Sequence, residues 1–237
     1  MTDSVGGAVP FDQADLDPTH RLADRVDAAV PFDQAELDRA LEEARRLGFF
    51  GPRPVAEQLT HARALLQLIE EAEIVASPFL DLGSGGGLPG LALAAVWTDA
   101  GGGLLDASAR RCAFLRETVR SLGWADRIVV FEGRGETLAR RPELRASSPL
   151  VVARSFASPA VTAEIGGALV SPHGVLVVSE PETDADRWPS EGLARLGLAV
   201  GDRRRTEGAG IVVLRRIEPL DDAWPRGNGV PAKRPLW

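Results

Sequence analysis

The sequence holds one cysteine, Cys112, and three histidines, at positions 20, 61 and 173. A single thiol cannot close an internal disulfide, and histidines so scattered do not form a metal-ligand pattern, so a disulfide scaffold and a structural zinc site are both set aside. No stretch approaches the roughly 18 uninterrupted apolar residues of a membrane span. The opening MTDSVGGAVPFDQADLD is acidic where a signal peptide would be basic and then apolar. A soluble, cytoplasmic chain without metal is expected. Lysine is nearly missing too: Lys233 stands alone among 27 basic residues. That bias reflects a GC-rich genome and is not by itself a sign of RNA binding.

What is present is a chain of 237 residues with 44% hydrophobic content, enough for one good-sized core plus an appendage. The net charge of -7 is unevenly placed. Residues 1–47 hold 11 Asp/Glu against 5 Arg, a balance of -6, which leaves only -1 for the rest. From Gly201 onward the sign reverses, with 8 Arg/Lys against 5 Asp/Glu. Arg203, Arg204, Arg205, Arg226, Lys233 and Arg234 are therefore candidate phosphate contacts, with solvated arginines on a polar rim as the alternative.

Residues 8–17, AVPFDQADLD, recur almost unchanged at 29–38 as AVPFDQAELD. Two copies are too few for a solenoid and indicate a local duplication. In the second copy, Asp33 can cap a helix that places Leu37, Leu41, Ala44 and Leu47 on one face and stops at Gly48. A second helix is expected from Val55, Leu59, Ala62, Leu65, Leu66 and Ile69. The organisation read from this is an acidic, flexible segment over 1–32, N-terminal helices over 33–75 and a catalytic-size domain over 76–237.

From Pro78 short apolar runs alternate with amphipathic stretches, which calls for an α/β fold: a doubly wound, mostly parallel sheet covered on both faces. In the stretch 107–122, Cys112, Leu115, Val119 and Leu122 form an apolar stripe, so Cys112 reads as packing and not as a nucleophile.

The informative segment is Phe79-Leu80-Asp81-Leu82-Gly83-Ser84-Gly85-Gly86-Gly87-Leu88-Pro89-Gly90, an apolar strand entering a glycine loop and then the apolar run 91–97. Glycines let the backbone turn sharply and approach a ligand, and the end of the first strand is where doubly wound folds bind nucleotides. No Lys-Ser/Thr pair follows, so a triphosphate loop is excluded. Gly83, Gly85 and Gly87 give GxGxG, which a dinucleotide site would share. Asp81, just ahead of the first glycine, favours S-adenosylmethionine, since it can support the loop and orient a cationic ligand that has no pyrophosphate. Asp106, 25 residues on, ends the expected second strand, where a carboxylate can accept both ribose hydroxyls. Capping of the next helix is its alternative role. Arg154 follows the apolar run 150–153 at another strand end, on the ligand-binding edge, with a surface salt bridge as the alternative.

The sequence resembles the bacterial small-subunit (16S) rRNA guanine-N7 methyltransferases, the glucose-inhibited division protein B family, over roughly residues 40–237. The loop DLGSGGGLPGLALA is similar to that family's cofactor loop, and residues 110–116, RRCAFLR, to its Arg-x-x-Phe-Leu helix. Gly133-Arg134-Gly135-Glu136 resembles its Arg-Ala-Glu turn, Val152-Ala153-Arg154-Ser155-Phe156-Ala157 its Ala-Arg-Ala segment, and residues 224–236 its basic, proline-rich ending. The resemblance implies a Rossmann-like class I methyltransferase fold with S-adenosylmethionine as cofactor. It also implies that Gly83 and Leu88 contact the cofactor, that Gly135 and Glu136 hold the adenine, and that Arg154 reaches the mouth of the site; Ser84, Gly85 and Gly87 of the same loop are further candidate cofactor residues. Small-subunit ribosomal RNA is the implied partner of a chain acting as a monomer.

Two departures bear on the substrate. Of the family's N-terminal Asn-Leu-Thr and His-x-x-Asp-Ser stretches only His61 remains, and the Lys-Gly after the fifth strand is replaced by Ser179-Glu180-Pro181. A carboxylate where a lysine stood would subtract phosphate affinity. The alternatives are a paralogue that methylates another substrate, a cofactor-binding protein without catalysis and, further off, an NAD-dependent dehydrogenase. Trp188 and Trp224 are candidate base-stacking residues, with packing as the alternative. No general acid or base is needed, because guanine N7 carries a lone pair and no proton.

Overall fold

The structure, a computed structural model, describes residues 34–51, 53–74, 78–181, 186–206 and 209–237. The first repeat copy and the Asp33 cap lie outside these residues. Two N-terminal helices come first, α1 (Gln34–Arg46) and α2 (Val55–Glu71). Helix α1 buries Leu37, Leu41 and Ala44, with Leu47 half-buried beyond its end, so the expected apolar face is the packed one. Helix α2 buries Ala62, Leu65, Leu66 and Ile69 along one side and packs on the sheet.

The remaining elements alternate as β1 (Phe79–Leu82), α3 (Gly90–Val96), β2 (Gly102–Asp106), α4 (Ala109–Ser121), β3 (Ile128–Glu132), α5 (Gly135–Leu138), β4 (Ser148–Ala153), α6 (Pro159–Leu169) and β5 (Val170–Glu180). They close with α7 (Ser190–Ala194), β6 (Leu198–Thr206), β7 (Ala209–Arg216) and α8 (Val230–Lys233). The seven strands form one sheet in the order β3-β2-β1-β4-β5-β7-β6. Strands β1 to β5 pair in parallel, while β7 pairs antiparallel with both β5 and β6. Two apolar clusters pack on the two faces, as a parallel sheet buried on both sides requires.

The antiparallel hairpin at the edge carries Arg203, Arg204 and Arg205 on β6, a strand that the arginine run masks in the sequence. Cys112 is fully buried in α4, and its Sγ donates to the Asp106 carbonyl at 3.3 Å. Burial pushes its thiol pKa up, which is the opposite of an activated nucleophile.

Candidate active site

The five parallel strands end on one edge, and the order reverses between β1 and β4, the position where open α/β sheets leave a crevice. Two adjoining cavities occupy it. The smaller, about 330 Å³, is lined by Gly83, Asp106, Gly135, Glu136, Phe156 and Ala232, among others. The larger, about 730 Å³, has Ser84, Gly85, Leu88 and Arg154 in its wall, facing Phe49 and Phe50 from the loop after α1, His61 from α2, Glu180 from the end of β5 and Trp188 from the chain beyond it. Gly83, Arg111 and the stretch 155–157 belong to both. Each volume lies within the ordinary range for small-molecule sites, roughly 300–1,000 Å³.

The loop is tied at both ends by carboxylates. Asp81 is buried, and its Oδ2 accepts the Gly90 N–H at 3.0 Å, fixing the start of α3. Among the described residues its Oδ1 is buried with no hydrogen-bond partner. Burial raises the Asp81 pKa to about 6, against the pull of the Gly90 hydrogen bond and the Arg154 charge, while Ser84 donates to the Asp81 backbone carbonyl at 2.9 Å. Asp106 Oδ2 accepts the Gly85 N–H at 2.9 Å and its Oδ1 accepts the Ser108 N–H at 2.8 Å. Ser108, not Asp106, caps α4, its side chain accepting from Arg111 N. Asp106 thus clamps the glycine loop to the head of the next helix while lining the smaller cavity.

Gly85 has φ of 56°, in the left-handed region, and a Cβ there would meet only the Phe49 and Gly83 carbonyl oxygens, at 3.7 and 3.8 Å. The turn needs glycine for its backbone angle, and a larger side chain would extend into the open cavity. At Gly86 the constraint is proximity, since a Cβ would stand 2.6 Å from Phe50 Cε1. Gly87 lies behind the loop against Leu91 and lines neither cavity.

Glu136 is 2% exposed, and its Oε1 accepts from Arg134 and from the Gly229 N–H, both at 3.1 Å. These hydrogen bonds outweigh burial and hold its pKa down. The carboxylate therefore fastens the C-terminal tail beside the smaller cavity. Arg154 lies at the end of β4 in the wall of the larger cavity, and among the described residues it forms no salt bridge. Desolvation lowers its pKa, partly offset by Asp81. Nearby, burial and the charges of Arg154 and Arg53 lower that of His61.

The basic residues of the C-terminal part divide. Arg226 is committed to Glu164, which is 1% exposed and accepts from Nη2 at 2.6 Å, from Nε at 3.0 Å and from the backbone N at 2.8 Å. Arg203 pairs with Asp186 and Arg204 with Asp202, whereas Arg205 donates to the Pro181 carbonyl. Lys233 and Arg234 are exposed. Trp224, Leu236 and Trp237 pack against the core, Trp237 donating to the Arg187 carbonyl. Sequence reasoning missed the contributions of Phe49, Phe50, Arg53, Glu57 and Arg187 to the larger cavity, which come from loops and helices distant in sequence.

This sheet order, with a glycine loop after the first strand and a carboxylate after the second, is that of the Rossmann-like methyltransferases. Solved structures bear out the fold. An O-methyltransferase from Bacillus cereus in complex with SAH superposes with a TM-score of 0.54 at 16% identity, covering 81% of this chain and 94% of that one. An RNA methyltransferase from Salinibacter ruber in complex with S-adenosyl-L-homocysteine gives 0.51 at 19% identity, covering 73% and 97%.

The profile of the family described as rRNA small subunit methyltransferase G matches residues 51–191, and the chain belongs to that family. The ribosomal RNA small subunit methyltransferase G of Roseiflexus sp. (strain RS-1) is 33% identical over 167 residues, which is 68% of this chain and 71% of that protein. Its counterpart in Deinococcus radiodurans is 34% identical over 171 residues, 67% of this chain and 65% of that protein. The matched segments thus leave part of each relative's length unspanned.

Proposed function

We propose that this chain transfers the methyl group of S-adenosylmethionine to guanine N7 in small-subunit ribosomal RNA. The observation that carries the reading is the pair of joined cavities at the switch point, the smaller lined by Asp106, Gly135 and Glu136 and the larger by the glycine loop, Arg154 and aromatic rings. In the smaller, Asp106 would hold the ribose hydroxyls, and Gly135 and Glu136 the adenine. The glycine loop, with Ser84 and Leu88, would hold the methionine portion. Asp81, buried behind the loop with one oxygen unpartnered among the described residues, would favour a cationic ligand through the loop. The sulfonium supplies an electrophilic methyl group.

The protein's own task is then positioning. N7 has an in-plane lone pair and attacks without a base, so no side chain needs to remove a proton. Phe49, Phe50, Phe156 and Trp188 give the larger cavity apolar walls that exclude water from the transfer. Arg53 and Arg154 add positive charge at its mouth, suited to the phosphates flanking a base splayed from its stack. The direct test is transfer of radiolabelled methyl by the purified chain to small-subunit particles lacking the modification. The product should co-chromatograph with 7-methylguanosine; label on any other nucleoside, or none, would refute the assignment.

A further inference from the structure

Glu180 ends β5, two strands from the glycine loop across β4. Its side chain is only 9% exposed, yet it contributes to the wall of the larger cavity. Both donors that reach it choose one oxygen: Trp188 Nε1 donates to Oε1 at 2.6 Å and Arg187 Nη1 to the same atom at 3.5 Å. Among the described residues Oε2 has no hydrogen-bond partner. A buried carboxylate so fixed is an oriented acceptor, since Trp188 is itself 2% exposed and holds the group in one position.

We infer that Glu180 reads the Watson–Crick edge of the target base, its Oε2 accepting the N1–H of guanine. The inference rests on the guanine reading above and names the residue that selects the base. Strands two apart are about 10 Å from axis to axis, so the space between the glycine loop and Glu180 suits a flat bicyclic base. In guanine, N7 and N1–H lie on different edges of the purine. A base that turns N7 toward the methyl over the glycine loop directs N1–H away from it, toward β5. Adenine also has an N7 lone pair, but its N1 is an acceptor. Against Glu180 it would set lone pair against carboxylate and leave Oε2 without a donor, the kind of unpaired polar contact that discriminates sharply. The carboxylate that costs phosphate affinity thereby gains base selectivity, with Arg187 beside it to balance its charge.

The test is equilibrium dialysis of radiolabelled GMP, IMP, AMP and 1-methyl-GMP against the full chain saturated with S-adenosylhomocysteine. GMP and IMP, which share N1–H, should bind about tenfold or more tighter than AMP, the equivalent of one good hydrogen-bonded contact. The 1-methyl nucleotide should bind as poorly as AMP. In Glu180→Gln the amide oxygen is claimed by Trp188 Nε1–H, so an NH2 group faces the base; it opposes guanine N1–H and suits the adenine N1 lone pair, and the preference for GMP over AMP should be lost or reversed. S-adenosylhomocysteine affinity and melting temperature should match the parent. Equal binding of GMP and AMP, binding of neither, tight binding of 1-methyl-GMP, or an unchanged preference in Glu180→Gln would each overturn the role of Glu180. Because the transfer assay on small-subunit particles is separate, a chain that forms 7-methylguanosine yet fails here retains its function and loses only this residue's part in it.

Discussion

Arg226 and Glu164 join the C-terminal tail to helix α6 through a side-chain fork and a backbone N–H, 62 residues apart in sequence and with the carboxylate almost wholly buried. Three residues on, Gly229 N–H bonds Glu136, and Ala232 of α8 borders the smaller cavity. The tail is therefore a wall of the proposed cofactor site as well as a carrier of positive charge. Removing Arg226 would strand a buried carboxylate, which costs about 3–5 kcal/mol for such pairs. Arg226→Ala should lower stability in urea by an amount at or below that range, given the partial exposure of the arginine, and should weaken S-adenosylhomocysteine binding. A variant with parent-like stability and affinity would show that the tail is not integral to the site.

In the proposed site, Asp81 sets stability against ligand binding. Its folded pKa of about 6 exceeds the ordinary 3.8, so the folded state holds the proton more tightly than the unfolded one. A raised carboxylate pKa costs folding free energy in full above about pH 6, and that cost is relieved as pH falls toward 4. Asp81→Asn should accordingly raise unfolding free energy at pH 8 by at most roughly 3 kcal/mol, with a smaller gain at pH 5. S-adenosylmethionine affinity should fall in the variant, and in the parent as pH drops through 6. Denaturation at the two pH values and calorimetry check both halves.

Gly85→Val should abolish binding of S-adenosylmethionine and S-adenosylhomocysteine. A β-branched residue is strained at the observed positive φ, and its side chain would enter the cavity. Isothermal titration of the folded variant measures this. Parent-like affinity would move the ligand away from the loop, and binding of NAD in place of S-adenosylhomocysteine by the parent would support the dehydrogenase alternative.

For RNA binding, the prediction falls on the C-terminal basic residues that make no ion pair among the described residues. Replacing Arg205, Lys233 and Arg234 by Ala should weaken RNA binding and lower the log–log salt slope by about 0.7–0.9 for each phosphate no longer neutralised. Cofactor affinity and melting temperature should stay as in the parent. Identical RNA binding at every salt concentration would show these side chains to be merely solvated.

The cofactor edge of the fold was legible because its signals are local. An apolar strand runs into Gly83, a carboxylate ends the next strand at Asp106, and Arg154 follows an apolar run, each readable within a few residues. The helix faces at Leu37–Leu41 and Ala62–Ile69 were legible for the same reason of period. Contacts between distant segments were not: nothing near Glu136 announces Gly229, and nothing near Gly86 announces Phe50, whose ring fills the space a side chain would take. Glu180 was visible as a departure from the resembled family, but its orientation depends on Trp188, set only once the chain beyond β5 has folded back.

The central claim is guanine-N7 methylation of small-subunit ribosomal RNA, and nucleoside mass spectrometry of that RNA from a deletion strain and its parent tests it most directly. The account predicts that 7-methylguanosine falls in the deletion strain and returns when the gene is restored, but not when Gly85→Val is supplied instead. Unchanged 7-methylguanosine in the deletion strain would contradict it.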